Sequence, residues 1–364
     1  MLSSLLKERL LFVGLAAAII AYATEHSLLE MGRLPVLVAA FALVAAIILV
    51  STRIAHHAEI LASKVGDPYG TMILTLAAVL VEVVVLAIMM QGETSPTLVR
   101  DTIYAAVMLD INGILGLAAL LGGIRHGEQP YNDDSARTYG VMILTAMGIS
   151  MVVPEFVPRE SWHVYSAFTI GAMIALYALF LRMQVGAHSY FFSYAYPRAE
   201  RKGSLPSEAT GESEPATVSI VVIIVGVVLI GALAEVMSVL LGAGLKGSGA
   251  PPALMAVVVA AISAAPEILT AMRAALANRM QSVVNIAMGA SLSTVILTVP
   301  VMEAIALYTG QPFIMAMSPA QTVMVAITLI VAAINLNDGE TNAIEGMTHF
   351  ILFATFIMLT LIGL

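Results

Sequence analysis

Two glutamates stand isolated in strongly apolar surroundings: Glu82 within Ala78–Val85, and Glu267 within Ser263–Thr270, directly after Pro266. An ionised carboxylate far from water is costly unless it is protonated, paired or bound to a metal. Two such acids brought together can hold one divalent cation or take up protons, and either event cancels most of their charge. Mutually exclusive occupancy by metal and proton is the chemical core of an exchanger. Ca²⁺ takes about six to eight oxygen ligands, so Asn112, Asn285, Ser291, Ser293 and Ser263 are candidates to complete a shell around Glu82 and Glu267. Pro266 has no N–H and so frees a backbone carbonyl one turn earlier.

Other acids rank lower. Residues 110 and 112 diverge by about 200° around a helix, so Asp110 and Asn112 cannot face the same site; the expectation places Asn112, with Gly113, on the cavity side and Asp110 behind it. Glu59, expected just past the end of a helix, and Glu235 are candidates for proton and cation access. Glu155, Glu303 and Glu345 lie near the ends of apolar runs, where snorkelling to the interface explains them.

These residues need helices in lipid to position them. The chain of 364 residues is 60% hydrophobic and 11% charged, against about 25% charged in soluble domains. Apolar runs long enough to cross a bilayer lie near 10–28, 33–55, 70–91, 99–124, 138–157, 162–182, 217–241, 250–272, 282–308, 318–336 and 344–363. The expected fold is an all-α polytopic membrane protein with eleven transmembrane helices, helix 1 followed by two inverted five-helix repeats. The expected units are a first helix in 1–30, an N-terminal repeat in 31–187, a cytoplasmic linker in 188–216 and a C-terminal repeat in 217–364. The linker is the one long hydrophilic break, with Glu200, Glu208, Glu212 and Glu214 mixed with basic residues.

Twelve of the sixteen Lys and Arg residues fall on the side of the N-terminus, including Lys7, Arg9, Arg53, Arg137 and Arg279. Only Arg33, Arg100, Arg159 and Lys246 fall opposite. Basic residues gather on the cytoplasmic side, so the N-terminus is read as cytoplasmic, the C-terminus as external, and the location as the inner membrane. Glu82 and Glu267 then sit on the second helix of each repeat, running in opposite directions, as in secondary transporters with a site at the repeat interface.

Several classes fall away. There is no Cys, hence no disulfide or thiol chemistry. No HExxH zinc site and no phosphate-binding glycine loop occur. A net charge of −8 without a basic patch argues against nucleic acid. Ala21-Tyr22-Ala23 could pass for a signal-peptidase site, but the segment reads as an uncleaved first helix. A Ser291–His349 dyad, as in an intramembrane serine protease, is the rival from another class; it leaves both central glutamates unexplained. The 22 Met residues read as packing.

Gly66-Asp67-Pro68-Tyr69-Gly70-Thr71 followed by Glu82, Asn112-Gly113, Gly123-Ile-Arg125-His126 with Glu128-Gln129, Pro266-Glu267 with Arg273 to Asn278, and Asn337-Asp338-Gly339-Glu340-Thr341-Asn342 with Glu345-Gly346 resemble the ChaA-type calcium/proton antiporters of the cation/Ca²⁺ exchanger superfamily. The resemblance covers nearly the whole chain in order. It implies a non-enzymatic antiporter without a cofactor, exchanging Ca²⁺ for H⁺ at Glu82 and Glu267, with Glu59 and Glu235 flanking the two α-repeats. It also implies alternating access by sliding of helices 1 and 6 against the bundle that holds the site. Where many relatives carry Gly-Asn before each central Glu, this chain has Ala78-Val79 and Ser263-Ala264. Two side-chain oxygens are thereby lost, and Na⁺ or K⁺ stands as the alternative cargo.

Overall fold

Backbone polar groups in lipid must be satisfied within the chain, and helices do this locally. The computed structural model describes residues 8–65, 69–91, 95–185, 215–311 and 313–364. The helices are α1 Arg9–Glu30, α2 Arg33–Val65, α3 Tyr69–Gln91, α4 Leu98–His126, α5 Asp133–Phe156, α6 Trp162–Val185, α7 Ala216–Leu245, α8 Ala253–Leu276, α9 Met280–Thr309, α10 Pro319–Asn335 and α11 Ala343–Leu361. Nine are long and apolar enough to cross a membrane, while α3 and α10 contribute shorter apolar helices, so eleven are found among the described residues. The linker expected at 188–216 lies outside the described residues except for Pro215 and Ala216, as does Gly66-Asp67-Pro68 of the quoted motif.

Polarity is arranged inside out. Ile19, Leu34, Phe168, Ile330 and Ile334 are exposed on the outer surface, while Glu82, Asp110, Asn112, Ser291, Thr298 and His349 are buried. That distribution suits a lipid surround, in which an apolar exterior costs nothing and inward polar groups mark function.

The second helix departs from expectation. It was expected to end near residue 55, with Glu59 beyond it, yet α2 continues unbroken to Val65 and carries Glu59 on its last turns. No Gly or Pro interrupts the chain between Pro35 and Gly66. The charges at Arg53, Glu59 and Lys64 mark the edge of the apolar run, not the end of the helix.

Helices α2 and α7 form the most intimate pair. A Cβ on Gly226 of α7 would lie 2.8 Å from Ile54 of α2, and one on Gly244 would lie 2.5 Å from Leu37. The contact order shows that the two run antiparallel. Helix α1 lies across both, with Gly14 against Val50 and Leu229. Helix α6 packs instead on α9. The first and sixth helices, expected to slide against the bundle that holds the site, have different neighbours, because glycines draw α1 and α7 onto α2.

A second antiparallel pair is α4 with α11. A Cβ on Gly116 would lie 2.8 Å from the Cβ of His349, and one on Gly346 would collide with the backbone of Leu120. At the ends of this pair, strands β1 Gln129–Pro130 and β2 Glu340–Thr341 pair antiparallel and join the loop after α4 to the loop before α11. Helix starts beside these strands are capped by side chains, Asn132 on Asp134 for α5 and Asn342 on Ile344 and Glu345 for α11, and at the opposite end of the bundle a Ser318–Gln321 capping box with Pro319 starts α10.

Three helices are interrupted by π-helical turns: Met108–Leu115 in α4, Gly148–Val152 in α5 and Thr294–Thr298 in α9. Such turns recur at functional sites, where they re-aim side chains.

Candidate functional site

Helices α2, α3, α4, α5, α6, α8 and α9 enclose a cavity of about 820 Å³, and Glu82, Asp110 and Glu267 all line it. Glu82 is 3% and Asp110 2% exposed. Oε2 of Glu82 accepts hydrogen bonds from Thr294 Oγ1 at 2.9 Å and Thr298 Oγ1 at 3.2 Å, both from the π turn of α9. Asp110 Oδ2 accepts from Ser291 Oγ at 3.2 Å. Glu82 Oε1, Glu267 Oε2 and Ser263 Oγ are buried without a protein partner. Buried polar atoms are nearly always satisfied, so orphans gathered on one cavity are candidate ligand atoms.

The three acids act on one another: Asp110 lies within electrostatic reach of both Glu267 and Glu82, and Glu267 within reach of Glu82. Among the described residues no Lys or Arg lines the cavity. Like charges in a low-dielectric site repel more strongly than in water, so the ionised acids need positive charge from outside the protein. They are not gathered to ligand distance, since no three such groups stand close enough to hold a metal ion among the described residues. A cation entering here has to draw them inward.

The cavity reaches one end of the bundle. Glu59 near the end of α2, Thr75 near the start of α3, Gln184 at the end of α6, Thr270 late in α8 and Ser282 in the first turn of α9 line it. The same end carries the chain's first described residue, Glu8, which is held by Arg53 and His57 of α2.

The profile of the sodium/calcium exchanger protein family matches residues 10–186 and again 218–362. The chain belongs to this family.

Among similar proteins, the sodium-potassium/proton antiporter ChaA of Escherichia coli (strain K12) is 30% identical over 307 residues, covering 84% of each chain. A Ca²⁺/H⁺ antiporter of Aphanothece halophytica is 24% identical over 278 residues, covering 73% of this chain and 74% of the other. The solved structure of native YfkE superposes with a TM-score of 0.74 at 17% identity, covering 96% of this chain and 99% of that one, a likeness of fold. Members of this exchanger family are multi-pass transporters of small cations, not enzymes, and the chain has that character.

Set against the sequence, the cavity gathers some expected residues and leaves others out. Glu82, Glu267, Ser263, Asn285, Ser293 and Glu59 all line the cavity. Asn285 Oδ1 accepts from Gln281 Nε2 at 3.0 Å, and Ser293 Oγ donates to Gly289 O at 2.7 Å. Ser291 is fully buried behind the cavity wall, bonded to Asp110.

Asn112 is a correction. Its side chain turns away from the cavity, donating to Thr328 Oγ1 at 2.7 Å and bonded to His349 Nδ1 at 2.9 Å. The divergence of residues 110 and 112 was read correctly, but the cavity side belongs to Asp110. Glu235 is exposed on α7, outside the cavity lining, and accepts from Tyr22 at 2.7 Å. Glu303 does not snorkel; it is 2% exposed and hydrogen-bonded to Ser166. The Ser291–His349 dyad fails as well, since the two bond to Asp110 and Asn112 respectively, on opposite sides of α4.

Thr294 and Thr298 escaped the sequence reading. Their signal is four-residue spacing, which places two hydroxyls on one stripe of a helix; the identity of their partner came only from packing.

Proposed function

We propose that this member of the sodium/calcium exchanger family is a cation/proton antiporter that exchanges Ca²⁺ for H⁺ at Glu82, Asp110 and Glu267. One observation carries the reading: two buried acids, Glu82 and Asp110, and the half-buried Glu267 line a single cavity that no basic side chain lines among the described residues. Protons or a cation must supply the compensating charge, and either displaces the other. Ca²⁺ meets this need with the highest charge per ion of the candidate cargoes and an all-oxygen shell. The unpartnered oxygens of Glu82, Glu267 and Ser263, with Asn285 nearby, are the first donors it would meet.

The cavity end that holds Glu8 is read as cytoplasmic, and the membrane as the inner membrane, on the twelve-to-four distribution of basic residues. Ca²⁺ then enters from the cytoplasm and is exported against protons taken up outside. Matching of one family profile to each half of the chain supports two inverted repeats as its architecture. Alternating access is assigned to the α1–α2–α7 group moving against the rest, because α2 contributes one wall of the cavity through Ser51, Ile54, Ala55 and Glu59.

A second reading keeps the site and changes the cargo to Na⁺ or K⁺. It is favoured by the 30% identity to a sodium-potassium/proton antiporter and by Ala78-Val79 and Ser263-Ala264 at the places of side-chain amides. The test is proton release from acidified everted vesicles on addition of each cation separately. Glu82→Gln and Glu267→Gln abolish the exchange while the protein inserts normally; unimpaired exchange in either variant refutes the site.

A further inference from the structure

Behind the cavity wall, on the far side of α4, lies a buried polar chain that the exchange reading does not use. His349 of α11 is 3% exposed, and its Nδ1 sits 2.9 Å from Asn112 Oδ1. Asn112 Nδ2 donates to Thr328 Oγ1 of α10 at 2.7 Å, and Thr328 in turn reaches Met108 Sδ at 3.6 Å. Asn112 also touches Met108 Sδ, at 3.5 Å. The chain therefore grips two points of one π-helical segment, its first residue Met108 and Asn112 four residues on. Between these points sits Asp110, aimed the other way into the cavity.

A π turn is held less firmly by its own backbone than an α-turn and depends on its surroundings. Here the surroundings are unusually close. The contact of Gly116 with His349, and of Gly346 with Leu120, sets α11 backbone to backbone on α4, so the imidazole has little room to move. Asn112 is 0% exposed, and both ends of its amide are engaged. Losing one partner leaves a buried polar group unsatisfied, which the segment relieves by turning. Any rotation of Asn112 about the helix axis carries Asp110 with it.

We propose that His349 is a positioning residue for the exchange reaction: acting through Asn112, it sets the rotation of the α4 π turn and so fixes Asp110 toward Glu82 and Glu267. His349 serves as a neutral donor from Nδ1 and carries no proton through the cycle. The inference rests on the site assignment above and deepens it.

The experiment compares His349→Leu with His349→Asn in reconstituted vesicles, reading the cation concentration for half-maximal exchange, the maximal rate and the pH profile. An Asn amide nitrogen falls near the place of Nδ1, so it restores the donor without restoring a titratable ring. His349→Leu raises the half-maximal cation concentration roughly ten-fold, with a smaller change in maximal rate and an unchanged pH profile. His349→Asn recovers most of the native affinity. Native affinity in His349→Leu overturns the proposal. So does failure of His349→Asn equal to that of His349→Leu with a changed pH profile, which makes the ring a proton carrier. Should His349→Leu fail to insert, Thr328→Val, which removes the other partner of Asn112, reads the same affinity shift, and native affinity there overturns the proposal. Glu82→Gln run alongside separates the two layers: normal exchange in that variant removes the site itself, whereas abolished exchange with native affinity in His349→Leu removes only the positioning role.

Discussion

Asp110 and Asn112, two residues apart on α4, face opposite sides of that helix and belong to different networks. Asp110 meets Ser291 and the cavity; Asn112 meets His349 and Thr328. Exchanging their chemistry separates the two roles. Asp110→Asn keeps shape and an acceptor for Ser291 but removes a charge from a cavity with no basic lining residue among the described residues. The expected result is a loss of Ca²⁺ affinity of about ten-fold or more, the equivalent of at least roughly 1.4 kcal/mol. Isothermal titration of the purified protein measures it; unchanged affinity removes Asp110 from the ligand set.

Thr294 and Thr298 donate to the same oxygen of Glu82. Hydrogen bonds to a charged group contribute about 1.5–3 kcal/mol each, yet the two share one acceptor, so each is partly redundant. Thr298→Val therefore lowers the apparent cation affinity several-fold, and Thr294→Val with Thr298→Val lowers it by more than the product of the single effects. Flux assays across a cation series check this. Strict additivity would show that the two hydroxyls do not share Glu82.

The helices and both central glutamates were legible because lipid imposes a simple rule: apolar runs span, and an acid within one stands out. That rule applied equally to Asp110, whose apolar neighbours Met108, Leu109 and Ile111 resemble those of Glu82. It was set behind Asn112 because helix phase shows that two residues diverge without showing which one faces inward. The partners of Asn112 lie 216 and 237 residues along the chain, at Thr328 and His349, beyond the reach of local spacing. The end of α2 was misplaced for a related reason, as hydropathy locates the water boundary while a helix continues through it to Val65.

The glycine contact between α4 and α11 gives a steric test. A side chain at Gly346 meets the backbone of Leu120 and Ala119, which cannot give way as a rotamer can. Gly346→Val is expected to separate the helices and lower the midpoint of thermal unfolding in detergent by several degrees, since overpacking costs about 1–3 kcal/mol. Gly140→Val on α5, where an added Cβ meets nothing within 4 Å, is the control and leaves the midpoint nearly unchanged.

Glu8 offers a pH-dependent prediction outside the membrane. Burial opposes ionisation of its carboxyl, but the Arg53 guanidinium and the His57 imidazole outweigh that and hold it below the usual carboxylate range. A carboxyl depressed in the folded state contributes stability that is present above its unfolded value of 4.5 and lost as pH falls further. Thermal midpoints measured from about pH 6 to about pH 3 should therefore fall more steeply for the native protein than for Glu8→Gln. Equal slopes would show that the contact of Glu8 with α2 contributes nothing to holding α1 in place.

The absence of Cys makes the side to which the cavity opens directly measurable. Any introduced thiol is the only one, and it reacts with a membrane-impermeant maleimide only from the side where water reaches it. Thr270→Cys and Gln184→Cys stand on the cavity lining near the end that holds Glu8, whereas Tyr308→Cys stands fully exposed near the end of α9, away from the cavity. In everted vesicles, which present the cytoplasmic face, Thr270→Cys and Gln184→Cys should label and Tyr308→Cys should not; in right-side-out vesicles the pattern should reverse. A saturating transported cation draws the three acids together and closes the cavity, so it should slow labelling of Thr270→Cys more than labelling of Tyr308→Cys. Labelling of Thr270→Cys only from the periplasmic face would invert the orientation drawn from the basic residues. Labelling insensitive to every cation tested would leave the cavity without a part in exchange.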